Sequence, residues 1–360
     1  MISGLSRLAQ PFLLAMDPEQ AHELTIRALS SGLHPRAIMP VDPLLRQRFW
    51  DLDFPNPLGM AAGFDKNAKA PDALLSIGFG FTEIGTVTPL AQAGNPRPRI
   101  FRLREDQGVV NRLGFNNEGH EAALRRLRGR PRRGIVGVNI GANKDSADRI
   151  SDYVAGIGTF AAVASYFTVN ISSPNTPGLR NLQQGEALDE LLEKVMAARN
   201  AATGEGRRAP VLLKVAPDID RLQIDTIAAA VRAHAVDGII VSNTTLARTG
   251  LRSPLRDETG GLSGRPLFER STIVLAQMRL AVGPELPIIG VGGIHSADSA
   301  WEKLRAGANL LQIYSALVYG GVGLAADIVA GIARRMHREK LGSLAEVTST
   351  GAEDWASRAP

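Results

Sequence analysis

Residues 170–178, Asn-Ile-Ser-Ser-Pro-Asn-Thr-Pro-Gly, hold two amides, three hydroxyls, two prolines and one glycine, with no charge. A strand-like run, Tyr166 to Val169, leads into them. So many polar groups cannot be buried without partners. The segment therefore reads as a stiffened loop at a strand end, where site residues concentrate. Pro174 and Pro177 fix φ and restrict their neighbours, which holds Ser173 and Asn175 in place. Ser173 is the candidate working residue.

The elements that must position it follow a repeating pattern. From Phe49 onward, eight short apolar runs occur: Leu58 to Ala61, Phe81 to Ile84, Ile135 to Val138, Phe167 to Val169, Val211 to Leu213, Gly238 to Val241, Ile288 to Val291 and Leu310 to Ile313. Helical stretches such as Ala187 to Ala201, Arg221 to Ala235, Arg270 to Ala281 and Ala297 to Ala306 lie between them. Alternating strand and helix imply a parallel sheet, and eight units imply a closed (β/α)8 TIM barrel. A doubly wound open sheet is the alternative, but no G-x-G-x-x-G follows the first strand. The barrel is expected over residues 46–342. Residues 1–45 read as a separate lobe of two amphipathic helices. Leu5, Leu8, Ala9, Phe12 and Leu13 share one face of the first. Asp17-Pro18 starts the second and Gly32 ends it. That lobe is either a lid packed on the barrel or an apolar surface for a membrane or a lipid-soluble molecule. Residues 343–360 are expected to be a tail ordered only in part.

A barrel places its chemistry just beyond the C-terminal ends of its strands. The residues there are Gly63 and Lys66, Thr86, Asn139, Asn170, Lys214, Ser242 and Asn243, Gly292 and Gly293, then Tyr314 and Ser315. Eight such ends suggest one ligand surrounded from all sides. Gly-Gly after the seventh strand and Tyr-Ser after the eighth suit a phosphate, because barrels commonly bind one there. The amides, hydroxyls and two lysines suit a flat, hydrogen-bonding heterocycle. Lys214 ends a run that should be buried. It is therefore a buried salt bridge, a cation beside a flavin ring, or a Schiff-base lysine. His295 reads as a helix-start residue, and no Glu, Asp and His set has metal spacing. Residues 111–117, Asn-Arg-Leu-Gly-Phe-Asn-Asn, read as a loop covering the site.

Composition narrows the options. The chain of 360 residues has no cysteine, which excludes disulfides, thiolate-held iron–sulfur clusters and a Cys nucleophile. The net charge is +5, with the excess gathered in Arg125 to Arg133. That stretch reads as a helix C-terminus running into a solvated turn, with anionic lipid as the second reading. Nucleic acid is disfavoured, since no aromatics are interleaved. No secretory signal and no membrane-spanning helix are expected.

Seven motifs carry a resemblance: Ala61-Ala62-Gly63-Phe64-Asp65-Lys66, Glu83 to Pro89, Asn111 to Asn117, Asn170 to Arg180, Ser242-Asn243-Thr244-Thr245, Gly260 to Leu267 and Gly290 to Ile294. Together they resemble the dihydroorotate dehydrogenases, specifically the membrane-associated quinone class, over nearly the whole chain. The resemblance implies FMN lined by Ala62, Gly63, Lys66, Thr86, Asn139, Asn170, Lys214, Ser242, Gly264, Gly293, Tyr314 and Ser315. It implies dihydroorotate, the precursor of orotate in pyrimidine (UMP) biosynthesis, held by Lys66, Asn111, Arg112, Leu113, Gly114, Phe115, Asn170, Asn175, Asn243 and Thr244. Asn amides can read the amide edges of such a ring, and Lys66 can face its carboxylate. Ser173 would take the C5 proton while hydride leaves C6 for the flavin, with Thr176 or water relaying the proton outward. Soluble classes of the family use Cys at the Ser173 position. The missing cysteine and the N-terminal lobe thus both point to the quinone class. The lobe would then be a quinone tunnel and the contact of a peripheral protein with the cytoplasmic side of the cell membrane. No metal or nucleic-acid partner is implied. A tRNA dihydrouridine synthase shares the barrel but relies on Cys. A Schiff-base aldolase would be colourless, and a dead scaffold would not keep Ser173, Lys66 and Lys214.

Overall fold

The computed structural model describes residues 10–32, 34, 42–203 and 208–359. Leu5, Leu8 and Ala9, expected on the first helix, lie outside the described residues. Residues 10–15 are helical (α1), and α2 spans Pro18–Ser30. The Asp17 carboxylate accepts the N–H groups of Glu19 and Gln20 at 3.0 Å, and Pro18 occupies the first helical position. This is the helix start expected from the sequence.

An antiparallel hairpin follows, β1 (Gln47–Phe49) and β2 (Leu52–Phe54). Then come β3 (Leu58–Asp65), α3 (Pro71–Ser76), β4 (Phe81–Val87), β5 (Ile100–Leu103), β6 (Gly108–Asn111), α4 (Gly119–Gly129), β7 (Ile135–Ile140), α5 (Arg149–Phe160) and β8 (Phe167–Asn170). The second half holds α6 (Gly185–Thr203), β9 (Val211–Val215), α7 (Arg221–Ala233), β10 (Gly238–Val241), β11 (Gly261–Gly264), α8 (Phe268–Val282), β12 (Ile288–Val291), α9 (Ala297–Arg305), β13 (Leu310–Ile313), α10 (Ala316–Gly320), α11 (Leu324–Glu339) and α12 (Ala352–Ala356).

Strands β3, β4, β7, β8, β9, β10, β12 and β13 pair in parallel in that order, and β13 closes on β3. These are the eight apolar runs read from the sequence: β10, β12 and β13 have the same bounds, and the other five extend further. They read so plainly because a barrel strand is buried on both faces. Alternate residues serve two cores. Phe81, Ile135, Leu212, Ile240, Ile289 and Leu310 face inward with Phe54 of the hairpin, while Ile84, Val138, Val169, Leu213 and Val241 pack under the helices. Each such side chain, fully buried, contributes about 1.5–3 kcal/mol.

Two expectations change. The long connection between β4 and β7 is partly strand: β5, β6 and β11 form a separate antiparallel sheet, with Asn111 the last residue of β6. The C-terminal segment is also not a partly ordered tail. Leu344, Val347 and Trp355 are buried, the Trp355 ring meets Phe268 edge-on at 6.0 Å, and its indole N–H donates to Glu302 at 3.2 Å. Substituting Trp355→Ala should therefore cost about 3–5 kcal/mol. In urea this is expected as a lower midpoint at unchanged slope. The Arg125–Arg133 stretch is the last turn of α4 and its connection into the N-terminal end of β7, which is the barrel end away from the site. Arg126 reaches back along α4 to pair with Glu118, its N-cap, and Arg130 pairs with Asp72 at 2.6 Å.

Candidate active site

One cavity of about 790 Å³ opens over the C-terminal strand ends and runs on between the two N-terminal helices. Of the residues singled out from the sequence, it is lined by Ala62, Gly63, Lys66, Thr86, Asn111, Leu113, Gly114, Phe115, Asn170, Ser173, Asn175, Lys214, Ser242, Asn243, Thr244, Gly264, Gly293, Tyr314 and Ser315.

Two expected residues do not line it. Asn139 is fully buried one layer below, where it accepts the Thr86 hydroxyl at 2.6 Å and donates to Glu83 at 2.7 Å. It supports the lining without being part of it. Arg112 turns away altogether. Its guanidinium donates to Glu258 at 2.7 Å and stacks on Phe101 at 4.4 Å, so it leaves the substrate-facing set.

The amides are wired in pairs. Asn175 donates to Asn111 at 3.3 Å, and Asn243 donates to the Asn170 oxygen at 3.3 Å. Asn170 in turn donates to Thr86 at 2.9 Å, so the amide orientations are mutually fixed. Ser173 is buried, and its one hydrogen bond among the described residues is as acceptor from the Asn175 backbone N–H, at 3.2 Å. An N–H aimed at that oxygen favours negative charge on it. The Thr244 hydroxyl oxygen and the Gln312 carbonyl oxygen are buried with no partner among the described residues, and both residues line the cavity.

Two lysines bring charge to the strand ends. The Asp65 carboxylate accepts the N–H groups of Lys69 and Ala70 at 2.8 Å, which shapes the turn after β3 and leaves Lys66 beside the cavity. Burial pulls the Lys66 ammonium down to about 8, against the opposing field of Glu19. Lys214 makes no ion pair among the described residues, so the buried salt bridge considered for it is absent there. Burial lowers its ammonium, and the charge of Glu83 opposes this. Glu83 itself, fully buried inside the barrel, accepts from Asn139, from Tyr166 at 3.0 Å and from Gln312 at 2.8 Å. The sequence reading missed it, although a lone carboxylate within the run Phe81 to Ile84 was as visible a signal as Lys214.

The glycines after β12 have a steric reason. Gly292 and Gly293 have φ of +108° and +74°. A Cβ on Gly293 would lie 2.3 Å from the Phe268 Cα, so no side chain fits. The His295 ring lies with Nδ1 2.7 Å from the Gly293 carbonyl, which can only accept, and His295 precedes Ser296, the N-cap of α9. It is a helix-start residue, as expected.

The rest of the cavity belongs to the lobe. Phe12, Leu13 and Leu14 of α1, and Ala21, Leu24, Thr25, Ala28 and Leu29 of α2, give it an apolar lining. His22 sits where the two parts meet, edge-on to Phe64 at 5.2 Å, and burial pulls its imidazole down to about 3. The lobe is held by a buried ion pair that the sequence reading did not find. Glu19 of α2 accepts from Arg99 at 2.6 Å and from Arg97 at 3.0 Å. Arg102 donates to the Leu14 and Met16 carbonyls at 3.1 and 2.9 Å, capping the end of α1.

Fold and site together define a (β/α)8-barrel enzyme with amides, hydroxyls and lysines gathered around one cavity over the strand ends. A family model described as dihydroorotate dehydrogenase matches residues 44–336. The chain belongs to the dihydroorotate dehydrogenase family. It is 60% identical over 360 residues to a Rhizobium rhizogenes protein named dihydroorotate dehydrogenase (quinone), with 99% of each chain covered. It is 61% identical over 360 residues to the protein of the same name from Rhizobium leguminosarum bv. trifolii, again with 99% of each covered. Among solved structures, DHODH from Eimeria tenella in complex with ferulenol matches with a TM-score of 0.89 and 35% identity, covering 93% of this chain and 95% of that one. The ligand-free form from the same organism matches with the same TM-score and covers 99% of that chain.

Proposed function

We propose that this site oxidises dihydroorotate to orotate, a step of pyrimidine synthesis, with Ser173 as the general base and a quinone as the final electron acceptor. The chain is an FMN-dependent oxidoreductase. The residues suit that cofactor: a lysine without an ion-pair partner among the described residues at the end of β9, buried acceptors without partners there, and a glycine turn after β12 that admits no side chain. Ala62, Gly63, Lys66, Thr86, Asn170, Lys214, Ser242, Gly264, Gly293, Tyr314 and Ser315 would hold it, with Asn139 as support from below. When bound, FMN would supply the hydride acceptor and the electron link to the quinone.

The chain's own residues do the rest. Asn111, Asn170, Asn175 and Asn243 orient the ring, with the Thr244 oxygen and the backbone of 113–115 beside them. Lys66 faces the carboxylate. Ser173 removes the C5 proton, and Thr176 or water carries it outward. Only cationic Lys66 can pair with a carboxylate. Burial lowers its pKa to about 8 in the protein without flavin, so orotate affinity should fall as the lysine loses its proton at alkaline pH. The limiting slope is about tenfold per pH unit, one proton being linked to binding. An orotate titration followed by flavin absorbance from neutral to alkaline pH checks this. Affinity that stays flat throughout removes Lys66 from the role.

Residues 1–45 form, in this reading, the quinone channel and the contact with the cytoplasmic face of the membrane. No helix among the described residues is long and apolar enough to cross a membrane. The carrying observation is that one cavity joins Ser173, Lys66 and the four amides to the apolar lining of α1 and α2. The test is an absorption spectrum of the purified protein. Bleaching of a yellow chromophore by dihydroorotate, and its return with a long-chain quinone, are expected. A colourless protein, or one inert to dihydroorotate, sinks the reading.

A further inference from the structure

We infer that Arg180 is a positioning residue for proton abstraction, clamping the segment that carries Ser173 onto the segment that carries Thr244. This rests on Ser173 being the base. Arg180 does not line the cavity. Its Nε donates to the Ser172 carbonyl at 3.1 Å, and its Nη2 donates to the Thr244 carbonyl at 3.0 Å. The remaining terminal nitrogen donates to Asp218 at 3.0 Å. One planar guanidinium therefore joins the loops that follow β8, β9 and β10.

The geometry suits arginine alone. Nε and Nη2 lie on one edge of a rigid fork and bridge two carbonyls from different loops, while Nη1 is left for the carboxylate. A lysine ammonium could hold Asp218 but would not fix both carbonyls. Asp218 is tied in from the other side. It accepts the Leu246 N–H at 3.0 Å and also the Thr245 hydroxyl. The fork is thus held by an anion that already grips the loop after β10. Local structure presents the arginine correctly. Gly178 takes φ of +71°, the 3-10 turn Leu179–Gln183 begins there, and Leu179 is fully buried.

The consequence is kinetic. Ser173 follows one clamped carbonyl, and Thr244, which lines the cavity, carries the other. Loosening either changes the distance between base and substrate, and an error of about 1 Å in such a distance can cost on the order of 10²-fold in rate. Arg180→Met is therefore expected to slow reduction of the bound flavin by dihydroorotate by about that factor. FMN content and reoxidation by quinone should stay at wild-type values, while the melting temperature falls by a few degrees as three charge-assisted hydrogen bonds are lost. Arg180→Lys should recover part of the rate, and guanidinium ions should partly rescue Arg180→Ala.

A double-mutant cycle with Ser173→Ala separates positioning from general support. If Arg180 acts through Ser173, Arg180→Met costs little once the serine is gone. An equal cost in both backgrounds, or a wild-type rate for Arg180→Met, overturns the inference. Should Arg180→Met fold poorly, Asp218→Asn gives the same reading, with a smaller loss expected where Ser173 is kept and little in the Ser173→Ala background. A Ser173→Ala enzyme that reduces flavin normally would instead sink the assignment of the base, an outcome distinct from failure of the clamp.

Discussion

Replacing Ser173 with alanine is expected to slow reduction of the bound flavin by dihydroorotate by about 10²-fold or more, the scale of a lost general base. The flavin should stay bound. The reason lies in how little else depends on this hydroxyl. Among the described residues its oxygen accepts one backbone N–H, that of Asn175, and no side chain of the amide network hydrogen-bonds to it. The pairs Asn111–Asn175 and Asn170–Asn243 survive its removal, as does the link from Asn170 through Thr86 to Asn139. Pro174 still restricts the backbone. Orotate should therefore bind nearly as in wild type while the proton-transfer step fails. That split between affinity and rate marks an interaction used only on the way to the transition state. Stopped-flow reduction, with orotate binding measured in parallel, checks it. Reduction at the wild-type rate would refute the role of Ser173, and a large loss of orotate affinity would make it a binding residue.

How far the sequence went depended on how local the signal was. The eight strands were legible because burial on both faces turns each into a short apolar run. The strand-end residues followed from topology alone. Arg112 was misplaced because a motif gives adjacency but not direction. It follows Asn111, the last residue of β6, and successive side chains of an extended segment point to opposite faces. Asn111 reaches the cavity, so Arg112 cannot. Asn139 shows the same limit along the barrel axis, lying one layer beneath the lining. The Glu19 clamp was hidden for another reason. An acidic residue in a first helical turn is already accounted for by the helix dipole, and nothing in the sequence joins it to Arg97 and Arg99, about 80 residues on. The C-terminal segment misled because its last helix, Ala352–Ala356, is too short for its apolar residues to show a period.

The Glu19 clamp also decides how the lobe should be tested. Removing all of residues 1–45 would leave the Arg99 guanidinium, only 6% exposed, without its carboxylate. With α2 gone that charge is open to water, so what is lost is the anchor that Glu19 provides. The damage would also spread. Arg99 donates to the Ala93 and Asn95 carbonyls at 2.7 Å, and the Asn95 amide donates to the Arg112 and Asn175 carbonyls at 3.0 and 3.4 Å. That path ends beside Ser173. Removing residues 1–16 is cleaner, because it takes away α1 and keeps Asp17, the cap of α2, together with Glu19. Phe12, Leu13 and Leu14 then leave the channel wall. Each apolar side chain lost from contact with a quinone tail forfeits up to about 1.5–3 kcal/mol, so KM for a long-chain quinone should rise by on the order of tenfold or more. Phe12 is 65% exposed, and its loss should also reduce sedimentation with lipid vesicles. Reduction by dihydroorotate and reoxidation by a small water-soluble acceptor should persist, since Ser173, Lys66 and the amides keep their supports. Steady-state assays with the two acceptors separate the cases. Unchanged turnover with the long-chain quinone would mean that the apolar channel between α1 and α2 is not its route, and a loss of flavin reduction would mean that α1 supports the substrate site and not the acceptor alone.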